Sequence, residues 1–111
     1  MEINGTENGK YYLITITGSF DSKTLVQVRD LIDQALQKGF SKVVFDMSSC
    51  NYIDSSALGL LVSLYKKCKD KGGKVGILNP STHIKKILAY ANMDVVLALY
   101  QTEADMKKDL Q

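Results

Sequence analysis

The sequence predicts an α/β fold in one domain spanning residues 1–111: a mixed sheet of four to five strands, opened by an N-terminal hairpin, with about four helices packed on it. Three observations predict it. Asn8-Gly9 stands just before a segment that alternates apolar and polar positions, a turn signal of the hairpin kind. Short apolar runs rich in β-branched residues then alternate with stretches of helical periodicity. The first two helical stretches end on glycine stops, and strand-helix-strand order of this kind implies parallel neighbours with covering helices.

Taken in order, the first twenty residues read as two strands around a turn. Tyr12, Ile14 and Ile16 share one face of the second strand, with Tyr11, Leu13 and Thr15 on the other. Gly18-Ser19-Phe20-Asp21-Ser22 breaks that pattern, and Asp21 or Ser22 can cap the helix that follows. Leu25, Val28, Leu31, Ile32, Ala35 and Leu36 recur at helical spacing up to the stop at Gly39. Lys42 to Met47 reads as a central buried strand. A second helix runs from about Ser55 to Lys71 and stops at Gly72-Gly73.

Val75 to Leu78 is the next strand, closed by Asn79-Pro80, and Ser81 caps a third helix carrying Ile84, Ile87, Leu88 and Tyr90 or Ala91. Val95 to Tyr100 reads as a last strand or a buried helical turn. Thr102 with Asp105 forms a capping box for a terminal helix.

Composition excludes several functions. The net charge of +2 is small, and of 14 basic residues only Arg29 is an arginine, so nucleic-acid readout has little material. A hydrophobic share of 45% and a charged share of 23% are ordinary globular usage and argue against disorder. No apolar run approaches the roughly 20 residues that span a bilayer. The opening Met1-Glu2-Ile3-Asn4-Gly5 has no basic or apolar leader segment, so a cytoplasmic location is expected and Cys50 and Cys68 read as reduced thiols. His83 is the sole histidine, which removes most metal sites and any two-histidine chemistry. No glycine-rich phosphate-binding fingerprint follows any strand, so no bound nucleotide is expected.

The informative stretch is Asn51-Tyr52-Ile53-Asp54-Ser55-Ser56-Ala57-Leu58-Gly59, which leads from a buried strand into the second helix. Asp54 or Ser55 can accept from the free backbone N–H groups there, and the two serines could serve as caps and nothing more. At about 100° per residue, Leu58, Leu61, Val62, Tyr65 and Cys68 form the core-facing stripe. Ser55 then leans toward the core. Ser56 lines up with Gly59, Ser63, Lys66, Lys67 and Asp70 on the solvated side, where a kinase reaches it more easily.

Ala57, Leu60 and Leu64 add a second apolar stripe, and Gly59 costs about 1 kcal/mol relative to alanine in a helix interior. Packing between the sheet and a neighbouring helix would explain this surface. So would a docking face beside Ser56. A phosphate on Ser56 would sit at a helix N-terminus, which favours an anion, and would change binding rather than folding.

Around that stretch the chain resembles the anti-sigma factor antagonists of the bacterial STAS family. Val43-Val44-Phe45-Asp46-Met47-Ser48 followed by Tyr52-Ile53-Asp54-Ser55-Ser56-Ala57-Leu58-Gly59 looks like that family's strand, loop and phosphorylation motif. Gly18-Ser19-Phe20-Asp21, Gly72-Gly73, Asn79-Pro80 and the Ile84-to-Ala91 helix follow in the family's order. The resemblance implies a STAS-like domain that, unphosphorylated, binds an anti-sigma factor serine kinase and so frees a sigma factor. That kinase phosphorylates Ser56, using ATP that belongs to the partner, and a serine phosphatase resets the switch.

The residues expected to meet the partner are Asp21, Asp54, Ser55, Ala57, Leu58, Gly59, Leu60 and Ser63, with no catalytic residue, metal or cofactor in the chain itself. Ala57 stands where the family most often has glycine, and Asn92-Met93 replaces its usual Gly-Leu. A second reading keeps the fold but makes the chain a non-switching accessory subunit of a lipid-transport or stress-sensing complex. An enzyme with Ser56 as nucleophile would need His83 as its base.

Overall fold

The computed structural model describes residues 2–110. In chain order the elements are β1 (Glu2–Asn8), β2 (Tyr11–Phe20), α1 (Leu25–Gln37), β3 (Lys42–Asp46), β4 (Cys50–Ile53), α2 (Ser55–Asp70), β5 (Lys74–Leu78), α3 (Thr82–Tyr90), a 3-10 turn (Met93–Val95), β6 (Ala98–Tyr100) and α4 (Glu103–Leu110). The sheet order is β1-β2-β3-β5-β6, with β4 pairing the far end of β2. The β1–β2 hairpin is antiparallel and turns at Gly9, whose φ of 64° is left-handed. Every other pairing is parallel.

The sheet thus has six strands, against the four to five expected: the unexpected strand is β4, and β2 is longer than expected. The second strand does not break at Gly18. The ladder shifts register between Gly18 and Ser19 and continues to Phe20, which is fully buried. β4 was unreadable because its burial runs buried, exposed, exposed, buried from Cys50 to Ile53, without the period of two that marks a strand. The last strand is Ala98–Tyr100 alone; Met93–Val95 is helical.

Two cores lie on opposite faces of the sheet. Tyr12, Ile14, Ile16, Val43, Phe45, Val75 and Ile77 meet α1, α2 and α3 on one face. Tyr11, Val44, Leu78 and Tyr100 meet Met106 and Leu110 of α4 on the other. Thr102 caps α4 through Asp105 N–H at 3.1 Å, and Ser81 caps α3 through Ile84 N–H at 3.2 Å, both as expected. Tyr90 is not a core residue: it is 89% exposed at the end of α3, where Ile84 and Leu88 carry the packing. Among the described residues, no helix is long and apolar enough to cross a membrane. Cys50 and Cys68 are free and buried, and burial pushes both thiols above their ordinary pKa.

The α2–β5 connection has the tightest steric constraint. Gly73 N–H donates to Cys68 O at 2.7 Å and Lys74 N–H donates to Ser41 O at 2.9 Å. A Cβ on Gly73 would overlap the Ser41 carbonyl oxygen, a backbone atom that no rotamer change can remove. Gly72 beside it, at φ 71°, has open space around it. Gly73→Ala is therefore expected to cost at least about 2 kcal/mol in urea unfolding, and Gly72→Ala about 1 kcal/mol from backbone strain alone. Equal losses at the two positions would contradict the close approach.

Candidate functional site

Parallel strands place their C-terminal ends on one edge of a sheet, and loops there carry groups from several strands to a common surface. β2 ends at Phe20 and β4 at Ile53 in neighbouring register, so the turns into α1 and α2 start side by side. Asp54 follows β4. Its backbone is extended, its N–H donates to Phe20 O at 3.2 Å, and its C=O accepts from Leu58 N–H at 3.1 Å.

The Asp54 carboxylate joins three segments. One oxygen accepts from Ala57 N–H at 3.0 Å, capping α2, and from the Ser56 hydroxyl at 2.7 Å. The other accepts from Ser22 N–H at 3.1 Å, tying the β2–α1 turn to the same group. The Ala57 bond, then the Ser56 bond, hold the Asp54 carboxyl below its ordinary pKa, so it is ionised near neutrality.

Of the two candidate caps, Asp54 is the one used, and Ser55 is exposed. The first turn of α1 works differently from the expectation: neither Asp21 nor Ser22 is its N-cap. Thr24 holds that position and is buried, its hydroxyl bonded at Ser19 O and Asp21 O, because Asp21 spends its carboxylate on Lys23 N–H within its own turn. Asp46 is likewise committed, to the backbone and hydroxyl of Ser48.

The buried stripe of α2 differs from the one read from periodicity. It is Ala57, Leu61, Leu64 and Cys68, while Val62 is 37% exposed and Leu58 and Tyr65 are half-buried. α2 is apolar on nearly every side, so apolarity could not locate its inner face; packing on both the sheet and α1 decided it. Two corrections follow. The exposure order of the serines is reversed, with Ser55 exposed and Ser56 half-buried. Ala57 is fully buried, so it does not present its methyl to a partner.

Ser56 faces a groove of about 320 Å³ between α1 and α2, lined by Arg29, Ile32 and Asp33 on one wall and by Ser56, Gly59, Leu60, Ser63, Leu64 and Lys67 on the other. Four expected residues (Ser56, Gly59, Leu60 and Ser63) are thus brought together, while Ser55 and Leu58 fall outside its lining. The α1 wall was missed by sequence reasoning. Its one available signal was Arg29, the only arginine in the chain. Val26 and Tyr52 add exposed apolar surface on α1 and β4, at 60% and 46%. His83 is exposed on α3 and does not line the groove.

Residues 2–106 match the STAS domain family. A STAS-domain containing protein of Pseudomonas aeruginosa is 30% identical over 87 residues, covering 78% of this chain and 85% of the relative. The anti-sigma F factor antagonist of Paenibacillus polymyxa is 23% identical over 100 residues, 89% of this chain and 86% of the relative. The solved structure of the Bacillus cell fate determinant SpoIIAA in its phosphorylated form superposes with a TM-score of 0.78 at 19% identity, covering 99% of this chain and all of that one.

The Asp54 network yields a stability test. Asp54→Asn keeps an N-cap acceptor and is expected to unfold at a higher urea midpoint than Asp54→Ala. Because the folded Asp54 pKa lies below its unfolded value of about 3.9, its ionic contribution is present above that value and is lost as pH falls through the folded one. The advantage of wild type over Asp54→Asn should therefore shrink on acidification below about pH 4. An advantage independent of pH would mean the carboxylate charge is not what binds the three segments.

Proposed function

Since the chain belongs to the STAS domain family, we propose that it is an anti-sigma factor antagonist switched by phosphorylation of Ser56. The observation that carries the reading is the 2.7 Å bond from the Ser56 hydroxyl to the ionised Asp54 carboxylate, in the first turn of α2 beside a groove. A carboxylate in that position orients the hydroxyl by accepting its hydrogen bond, which presents the oxygen in a defined geometry to an incoming phosphoryl group. Relatives named as anti-sigma F and anti-sigma-B factor antagonists support the biological assignment.

In the unmodified state, the surface around Ser56 docks an anti-sigma factor that is also a serine kinase. The chain contributes Asp21, Asp54, Ser55, Leu58, Gly59, Leu60 and Ser63, with Ala57 withdrawn into the core. The kinase brings the ATP. Phosphorylation adds a charge of about −1.5 to −2, and burying an unpaired charge at an interface costs roughly 3–5 kcal/mol. Each 1.4 kcal/mol is about tenfold in affinity, so the pair separates. A serine phosphatase removes the group, and the cycle takes place in the cytoplasm.

One observation favours a second reading. A half-buried serine already bonded to its neighbour's carboxylate is also what a purely structural helix start looks like. The chain would then be a non-switching accessory subunit of a lipid-transport or stress-sensing complex. The exposed Ser55 sharpens the choice, since accessibility alone would select it.

Incubation with the partner kinase and ATP, followed by phosphosite mapping, separates these readings. Ser55→Ala should still be modified and Ser56→Ala should not; phosphate confined to Ser55, or none at all, overturns the switch. Ser56→Asp should weaken partner binding by at least about tenfold in calorimetry, while Ser56→Ala binds and is not released by ATP. Gly59→Ala tests the docking face, because a Cβ there meets nothing within 4 Å. It should gain roughly 0.5–1 kcal/mol in stability while binding the partner more weakly. Undiminished binding would remove Gly59 from the interface.

A further inference from the structure

We propose that Arg29 receives the phosphate of modified Ser56 inside the α1–α2 groove, so that the modified chain draws its new anion onto its own α1. The inference rests on the reading of Ser56 as the phosphorylated residue and deepens it.

The first step concerns where the phosphate cannot stay. The Ser56 hydroxyl points at Asp54, 2.7 Å from a carboxylate oxygen. Esterification removes the hydroxyl proton, so that hydrogen bond is lost, and it places a dianion against an ionised carboxylate. Asp54 has reason to stay, because Ala57 N–H and Ser22 N–H hold its two oxygens. Rotation of the seryl side chain relieves the repulsion while leaving those two bonds intact.

The second step concerns where it can go. Ser56 lines the groove of about 320 Å³, which has room for a phosphate and carries Arg29 on its α1 wall. The ion pairs among the described residues are Lys38–Glu7, Lys74–Asp109 and Lys107–Glu103. Arg29 is in none of them, although Asp33 lies one turn along the same helix. Its guanidinium is therefore uncommitted, and its planar fork matches phosphate oxygens in pairs.

Lys67, the other cation of the groove, is a weaker candidate. It stands about 16 Å further along α2 at the helical rise of 1.5 Å per residue, whereas Arg29 and Ser56 both lie near the starts of adjacent helices. Gly59 and Leu60, two residues of the proposed docking face, line the same groove. Release would then combine charge with physical cover of the groove.

The test needs no partner. Phosphoserine is installed at position 56 by amber suppression, and the second ionisation of its phosphate is followed by ³¹P NMR in the intact chain. The charged groups facing it are Asp54, Asp33, Arg29 and Lys67. Arg29→Gln should raise the phosphate pKa by roughly half a unit, Arg29→Lys should raise it less, and Lys67→Gln should leave it in place. In the wild-type background, the Arg29 Nε–H resonance should move when position 56 carries phosphate. Identical titration in wild type and Arg29→Gln, or an unmoved Arg29 resonance, overturns the proposal. Failure of the switch itself would appear elsewhere, as absence of phosphate on Ser56 after kinase treatment.

Discussion

One carboxylate organises the edge of the sheet where function is expected. Asp54 closes the first turn of α2, fixes the turn that leads into α1 and orients the Ser56 hydroxyl, using both oxygens to do so. Its backbone is anchored in turn to Phe20, the last residue of β2. The two helices that line the groove are therefore referenced to one side chain. An aspartate meets all three demands because it is short, accepts at two oxygens and is ionised near neutrality.

That arrangement depends on how β2 ends. The strand pairs with β3 through Thr15, then shifts register after Gly18 and pairs with β4 through Phe20. The extra residue at the shift is Asn51 of β4, and Gly18 beside it has a φ of 98°, a conformation strained for a residue with a Cβ. Phe20 beyond it is fully buried and stacks with Phe45 at a ring separation of 6.2 Å. A strand that ended at Gly18 would not carry the Phe20 carbonyl to Asp54, and the α1 and α2 starts would lose their common reference.

Much of this was legible in the sequence. Caps, stops and alternation located all four helices and four of the strands, because those signals are local and chemical: Ser81, Thr102 and the Gly72-Gly73 stop act within a few residues of themselves. The mixed sheet with its opening hairpin followed from strand-helix order. Ser56, Gly59, Leu60 and Ser63 were legible as a group because they share one helix face. What stayed hidden was set by tertiary contacts. β4 has no periodicity to read, and Arg29 is one charged residue on an ordinary solvated face until α2 is laid beside it. The inner face of α2 was misread for a related reason: when a helix is apolar all round, its neighbours choose the buried side.

The reversal of the two serines changes what a phosphate there would mean. On a fully solvated helix face, a phosphate would act only as added surface charge. On Ser56 as placed, it would convert the donor of an existing hydrogen bond into an anion facing that bond's acceptor. The helix would keep its start, because Ala57 N–H and the backbone bonds of Asp54 to Phe20 and Leu58 do not involve the Ser56 hydroxyl. The disturbance would therefore be confined to the side chains of one turn and the groove beside it. A fold that localises so large a change in charge can alter what it binds without altering what it is, which is the physical requirement for a reversible protein switch.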